Sequence, residues 1–344
     1  MSPGVHGAHT KVRRIAAFLM VVASWGVCCT CPLAAEAQST AKASARVIRV
    51  TVAGDGHGDF QTVQQAVDHA PAQRDERLVI AIQPGVYRER VVIPQDRPRV
   101  TLLGLGNDPA STVITYNMSA VAAGGTFLSS TVDVEGTEFE ASNLTLENSY
   151  GPGSQAVALS LHSDRAVLRH CRLIGWQDTL YAASGRQYFD ECYIEGAIDF
   201  IFGNARAVFH DCEIRSAGPG YVTAQSRVVT DAPTGFVFIH CRLTADETTK
   251  KVYLGRPWRP YARVIFLDTE MGAHIEPAGW REWHPGETNS LDTSYYAEFN
   301  SSGPGGVRTG RDPHARFLTE KEAGEFRAKK FLAAPDGWDP SAAR

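Results

Sequence analysis

The chain has 344 residues, of which 43% are hydrophobic and 21% charged, with 34 Lys and Arg against 38 Asp and Glu. That apolar content supports a large core and excludes a disordered chain, and a formal charge of −4 argues against a partner gripped through its phosphates, so no nucleic acid is expected. Gly (31) and Pro (18) are at ordinary levels, which excludes collagen-like and low-complexity chains.

Residues 1–37 read as a cleaved signal peptide. Lys11, Arg13 and Arg14 form a basic start, and Ile15 to Cys29 is an apolar run too short to span a bilayer comfortably. Ala35-Glu36-Ala37 supplies a cleavage site. A membrane anchor is the alternative for this segment; no later run is long and apolar enough to cross a membrane. The mature chain, 38–344, reads as one domain without a linker. Loss of three basic residues and Glu36 leaves it at net −6. Three of the seven cysteines depart with the leader, leaving Cys171, Cys192, Cys212 and Cys241 in an exported chain, either bridged or buried as thiols.

Near the new N-terminus, Thr62-Val-Gln-Gln65 resembles a capping box, and Val63, Ala66, Val67 and Ala70 follow at helical spacing. Farther on, one pattern recurs. Leu168-Arg-His-Cys171-Arg-Leu173, Phe189-Asp-Glu-Cys192-Tyr-Ile194, Phe209-His-Asp-Cys212-Glu-Ile214 and Ile239-His-Cys241-Arg-Leu243 each place a Cys two residues before a Leu or Ile. The cysteines are 21, 20 and 29 residues apart. Short strands repeating about every twenty residues with no helix between them read as an all-β solenoid, a right-handed parallel β-helix. An antiparallel sandwich is the rival, but the Asn-Gly hairpin turns it favours are missing from the repeats. The segment from about Thr244 to Gly286 reads as loops on one flank. Thr319-Glu-Lys-Glu322 opens a second short helix to about Lys329, and the two helices are expected to cap the ends of the coil.

In a stacked coil, residues one period apart sit on neighbouring strands, about 4.7–4.9 Å apart. Asp178 and Asp199 are 21 residues apart, and Gln155 and Gln177 are 22, so two carboxylates and two amides are expected on one face. Two carboxylates this close cannot both ionise cheaply, so one becomes an acid and the other a nucleophile or base. A retaining glycosidase also uses paired carboxylates, about 5–5.5 Å apart. Amide donors suit an oxyanion better than an oxocarbenium ion, which favours acyl transfer. There is no G-x-S-x-G elbow and no H-E-x-x-H or paired Cys-x-x-Cys motif, so neither a serine triad nor a metal site is expected. His162, His170, His210 and His240 recur near the repeats and read as surface or coil residues.

Five segments stand in order along the chain: Gly85-Val-Tyr87-Arg-Glu89, Gln155-Ala-Val-Ala-Leu159, Gln177-Asp-Thr-Leu180, Asp199-Phe-Ile-Phe-Gly203 and Leu254-Gly-Arg-Pro-Trp258. Together they closely resemble the signature blocks of the pectin methylesterase (pectinesterase) family, over about Val50 to Trp338. The resemblance implies a right-handed parallel β-helix, secretion into the medium or periplasm, and hydrolysis of methyl esters on polygalacturonan, the pectin backbone. It implies no metal or organic cofactor, and a monomer is expected.

Carried over by position, Asp199 matches the nucleophile, and Asp178 the acid that protonates methanol and then activates water. Gln177 matches the main oxyanion donor, with Gln155 assisting. Arg256, outside the repeat register, matches the guanidinium that keeps Asp199 ionised. Tyr181 and Trp258 match aromatic subsites, Thr126 matches a substrate contact, and Phe127, Phe202 and Trp280 are expected to add walls to the cleft. Cys192 and Cys212 resemble the positions of a bacterial family disulfide, so that bridge is expected, with Cys171 and Cys241 in the core. A β-helix that only binds polysaccharide, and a chain-cleaving pectate lyase or polygalacturonase on the same scaffold, remain the competing readings.

Overall fold

The computed structural model describes residues 46–69, 71–72, 75–284 and 289–342; the leader and its cleavage site lie outside them. Residues Ala45–Arg344 form one compact unit. Among the described residues its strands run in three sheets of eleven, seven and eight strands, and every strand pairing is parallel. Each coil lays one strand in each sheet. Leu180–Ala182, Arg186–Asp190 and Tyr193–Gly196 make one coil, and Ile201–Gly203, Arg206–His210 and Glu213–Ser216 the next. The chain is a parallel β-helix, as the twenty-residue repeat predicts.

Register explains the repeat. Phe189, Phe209, Phe238 and Phe266 pair across successive strands of the long sheet, and their rings stack inside the coil at 4.5–4.7 Å. Burying each such ring stabilises the fold by about 1.5–3 kcal/mol. Val208 and Val237, one residue earlier, point outward, as the two-residue period of a strand requires. The chain then turns a corner through a single left-handed residue: His170, Glu191, Asp211 and His240 have φ of 50–54°. The next residue is the repeated Cys, facing inward, and two further on is the inward Leu or Ile.

The expected Cys192–Cys212 disulfide is not formed; both are buried free thiols, as are Cys171 and Cys241. The four occupy equivalent inward positions on consecutive coils. Their Cβ atoms are therefore offset by the strand spacing of about 4.7–4.9 Å rather than converging to the roughly 3.8 Å of a bridge. Each sulfur instead donates to a carbonyl at its own corner: Cys192 to Asp190 O at 3.4 Å and Cys212 to His210 O at 3.3 Å.

The N-terminal helix, Val63–His69, packs Val63, Ala66 and Val67 into the core beneath the first coil. Thr62 and Gln65 form the expected capping box, and Glu89 accepts from the N–H groups of Val63 and Gln64. At the C-terminal end, Thr319 and Glu322 form the other box, but the helix stops at Ala323 and restarts at Ala328–Phe331, because Arg327 is extended. This segment packs Ala328, Phe331 and Leu332 against outward Val208, Val237 and Ile265, so it covers the outer face of the long sheet. The stretch expected as flanking loops also contributes a coil of its own, Val252–Gly255, Arg263–Leu267 and Glu270–Met271.

Candidate active site

The corner leading into the seven-stranded sheet is wider, and it carries the chemistry. Gln177 bridges in parallel to Ile198, and Asp178 N–H donates to Ile198 O at 3.1 Å, which sets Asp178 beside Asp199 on consecutive coils. One coil earlier, Ala156 N–H donates to Gln177 O at 3.0 Å, bringing Gln155 alongside. Both aspartates have left-handed backbones, φ 65° for Asp178 and 51° for Asp199. Conformations of that kind persist where the surrounding structure enforces them, and here they aim two acids at one point.

Arg256 arrives from the strand Val252–Gly255. Gly255 permits this approach: a Cβ there would sit 2.0 Å from Thr223 Oγ1. The guanidinium meets Asp199 in a fork, Nε to Oδ1 at 2.9 Å and an Nη to Oδ2 at 2.6 Å. It is also held between the rings of Tyr221 and Trp283, 4.1 Å from each centroid, and its remaining Nη donates to Trp283 O at 3.3 Å. Fixing both planes of the fork fixes which carboxylate it serves.

The two carboxylates therefore differ. Asp178 is 8% exposed and, among the described residues, has no cation bonded to it; burial, reinforced by the neighbouring Asp199 charge, pushes its pKa up to about 8. Asp199, 5% exposed, is also pushed up by burial, but the Arg256 bonds and charge oppose the shift. The asymmetric counter-ion favours the proton on Asp178 and the negative charge on Asp199. Among the described residues the side-chain amide of Gln177 has no hydrogen-bond partner, so its N–H groups are available to a ligand.

Gln155, Gln177, Asp178, Asp199 and Arg256 line one cavity, with Thr126, Phe127, Phe202, Trp258 and Trp283 as its walls. Tyr181 adjoins it, stacked on Phe202 at 4.7 Å and against Phe127 at 4.7 Å. Trp280 departs from expectation. It is 2% exposed and stacked on Tyr296 at 4.1 Å, inside the core. Its bridge to Gly255 turns it inward, and Trp283, three residues on, takes the place at the cleft. Sequence reasoning also passed over Tyr221, whose position near the start of a strand gave no sign of its contact with Arg256.

The pectinesterase family model matches residues 49–335. This chain belongs to the pectinesterase family. It is 41% identical to pectinesterase 31 of Arabidopsis thaliana over 84% of this chain and 93% of the relative. It spans about half the length of the Arabidopsis relatives named pectinesterase/pectinesterase inhibitor. The carrot pectin methylesterase structure superposes with a TM-score of 0.79 at 38% identity, over 83% of this chain and 92% of that one. A pectin methylesterase in complex with a hexasaccharide matches at TM-score 0.71 and 29% identity, over 85% and 98% of the two chains. Within this pectinesterase, the five segments that carried the resemblance all lie in the described residues, and the last four meet at the cavity.

Proposed function

We propose that this pectinesterase hydrolyses methyl esters of polygalacturonan to pectate and methanol through an acyl-enzyme on Asp199. The observation that carries the reading is the forked Arg256–Asp199 pair beside a buried, cation-free Asp178. The ionised Asp199 oxygen attacks the ester carbonyl carbon, and the carbonyl oxygen takes up the negative charge. Gln177, assisted by Gln155, donates to that oxyanion. As the tetrahedral centre collapses, the bond to the methoxy oxygen breaks, and Asp178 hands over its proton so that methanol leaves neutral. Asp178, now a carboxylate, takes a proton from water as it attacks the acyl carbon. Collapse returns Asp199 as its carboxylate and the galacturonic acid, with Asp178 protonated as at the start; the acid then releases its proton to solvent and becomes the uronate.

Aromatic walls fit the apolar faces of sugar rings and the added methyl group. The basic start, apolar run and Ala-x-Ala site of residues 1–37 support a secreted or periplasmic mature chain over 38–344, which we take to act as a single-domain monomer.

The test is alkali uptake at constant pH on highly methylated pectin, with methanol measured in parallel. Asp199→Ala is expected to lower turnover at least roughly a thousandfold. Asp178→Ala is expected to lower it about a hundred- to ten-thousandfold, with both variants melting as folded proteins. Near-wild-type methanol release from either variant overturns the mechanism. Pectin binding without methanol release from the wild type would favour the binding-only reading, and a fall in pectin chain length would favour a lyase or polygalacturonase.

A further inference from the structure

The corner between the eleven-stranded and eight-stranded sheets stacks titratable side chains coil upon coil. Asp190 and His210 end paired strands, and Asp211 and His240 are the left-handed corner residues of successive coils, φ 52° and 54°. His210 Nδ1 lies 3.2 Å from Asp211 Oδ2 and 3.0 Å from Oδ1 of Asp190, a carboxylate only 4% exposed. His240 Nδ1 lies 3.6 Å from the other Asp211 oxygen, Oδ1. His210, Asp211 and His240 each offer one ligand atom, all within 4.8 Å of one another. Among the described residues, no other three His, Cys, Asp or Glu side chains converge in this way.

Ligand atoms held about 2.0–2.1 Å from a tetrahedral zinc ion are about 3.3–3.4 Å from each other. The His210–Asp211 and Asp211–His240 gaps of 3.2 and 3.6 Å are close to that edge. A second observation lies behind His240. Its Nε2 is 3.5 Å from Asp268 Oδ2, and Asp268 is held in turn by Arg327 at 2.7 Å and by Asn300 at 2.9 Å. An imidazole with one nitrogen toward an anchored carboxylate and the other toward converging ligands is the carboxylate–histidine–metal arrangement, in which the outer carboxylate fixes the tautomer. His314 is the contrast. Asp312 faces its Nδ1 and Asp292 its Nε2, on opposite sides of the ring, and neither side gathers a third ligand among the described residues.

We propose that His210, Asp211 and His240 form a site for a divalent transition-metal ion of the zinc class, with Asp190 beside His210 and Asp268 behind His240. Two imidazoles with a carboxylate suit Zn²⁺, whereas Ca²⁺ and Mg²⁺ take oxygen ligands. The ion takes the Nδ1 lone pairs of both rings, and a proton held there leaves to solvent. The Asp190 and Asp211 carboxylates balance its two charges. Because His210 and Asp211 belong to one coil and His240 to the next, the bound ion ties neighbouring coils together and favours the folded chain. No short motif announces the site, since its two histidines are 30 residues apart. It lies on a different corner from Asp178 and Asp199 and stands independently of the esterase reading.

The test uses the untagged chain, cleared of metal with a chelator and dialysed, beside His210→Gln/His240→Gln, Asp268→Asn and His314→Gln. Calorimetric titration of the wild type with Zn²⁺ is expected to show saturable uptake, which Ca²⁺ and Mg²⁺ do not reproduce. The double variant is expected to lose affinity on the order of a hundredfold or more, Asp268→Asn about tenfold to a hundredfold, and His314→Gln nothing. Saturating Zn²⁺ is expected to raise the wild-type Tm and leave that of the double variant unmoved. Equal Zn²⁺ affinity in wild type and folded double variant, or no uptake by the wild type, overturns the site. Ca²⁺ bound as tightly as Zn²⁺ overturns the assigned metal class. A measurement on the wild type alone covers a double variant that does not fold: anomalous scattering at the zinc edge from Zn²⁺-soaked crystals. A peak between His210, Asp211 and His240 supports the site, and a peak only elsewhere, or none, overturns it.

Discussion

Asp178 and Asp199, at one corner of the coil, and Glu191 and Asp211, at another, are both acidic pairs one coil apart, separated by 21 and 20 residues. All four are in the left-handed region, with φ of 65°, 51°, 51° and 52°. What separates them is what surrounds each pair. The side chains of Glu191 and Asp211 are 49% and 36% exposed, and histidines flank them: His170 at 3.4 Å from Glu191, His210 at 3.2 Å and His240 at 3.6 Å from Asp211. Asp178 and Asp199 are under a tenth exposed, with one guanidinium aimed at one member. A solenoid makes adjacent like charges wherever its corners repeat. Burial and an asymmetric counter-ion turn one such pair into an acid and a nucleophile, whereas solvent and histidine leave the other as surface.

The largest expected consequence is in the pH dependence of stability. An Asp178 carboxyl with a folded pKa of about 8 keeps its proton where the unfolded chain, at the ordinary value of 3.8, has lost it. The native state then binds more protons, so stability falls as pH rises through that window, by up to about 1.4 kcal/mol per pH unit. Asp178→Asn has no proton to lose and is expected to flatten the slope, gaining on wild type in urea midpoint from pH 5 to pH 8. The same group predicts that wild-type kcat/KM declines as pH passes about 8, where the acid disappears. Parallel stability curves for wild type and Asp178→Asn would mean that burial does not split the pair.

Next in size is the contrast between two tryptophans three residues apart. Trp280→Ala empties a core position and is expected to cost about 3–5 kcal/mol in denaturant unfolding, while the folded fraction keeps its KM. Trp283→Ala removes one face of the Arg256 sandwich and is expected to cost under about 1 kcal/mol of stability while lowering kcat roughly tenfold. A reversed pattern would place Trp280 at the cleft after all.

These residues also mark what could be read from the chain. Local spacing sufficed for the coil and the adjacency of Asp178 and Asp199, because each depends only on one constant period. Gln155 came from sharing that register, Trp258 from the family resemblance and Phe202 from the expectation of aromatic walls, and all three line the cavity. What failed depended on direction. Cys192 and Cys212 are neighbours, as their spacing says, but their side chains run parallel. Trp280 and Trp283 could not be told apart because their segment lies outside the repeats, where no period says which face a residue takes. The stack of Tyr221 on Arg256 joins residues 35 positions apart, beyond any one-coil relation.

The smallest expected effect is the sharpest control on the comparison. Glu191→Gln removes one charge from a pair with the same coil spacing and backbone conformation as the catalytic one. Its His170 partner is 56% exposed, and such surface ion pairs are worth about 0–1 kcal/mol. Thermal or urea unfolding is therefore expected to move by no more than about 0.5 kcal/mol, with methanol release within roughly twofold of wild type. A drop in turnover comparable to that of Asp178→Ala, in a protein that still folds, would mean that the two corners communicate through the stacked coils. In that case burial at the catalytic corner would not be enough to set the acid apart, and the charge ladder on the far corner would have to be counted as part of its environment.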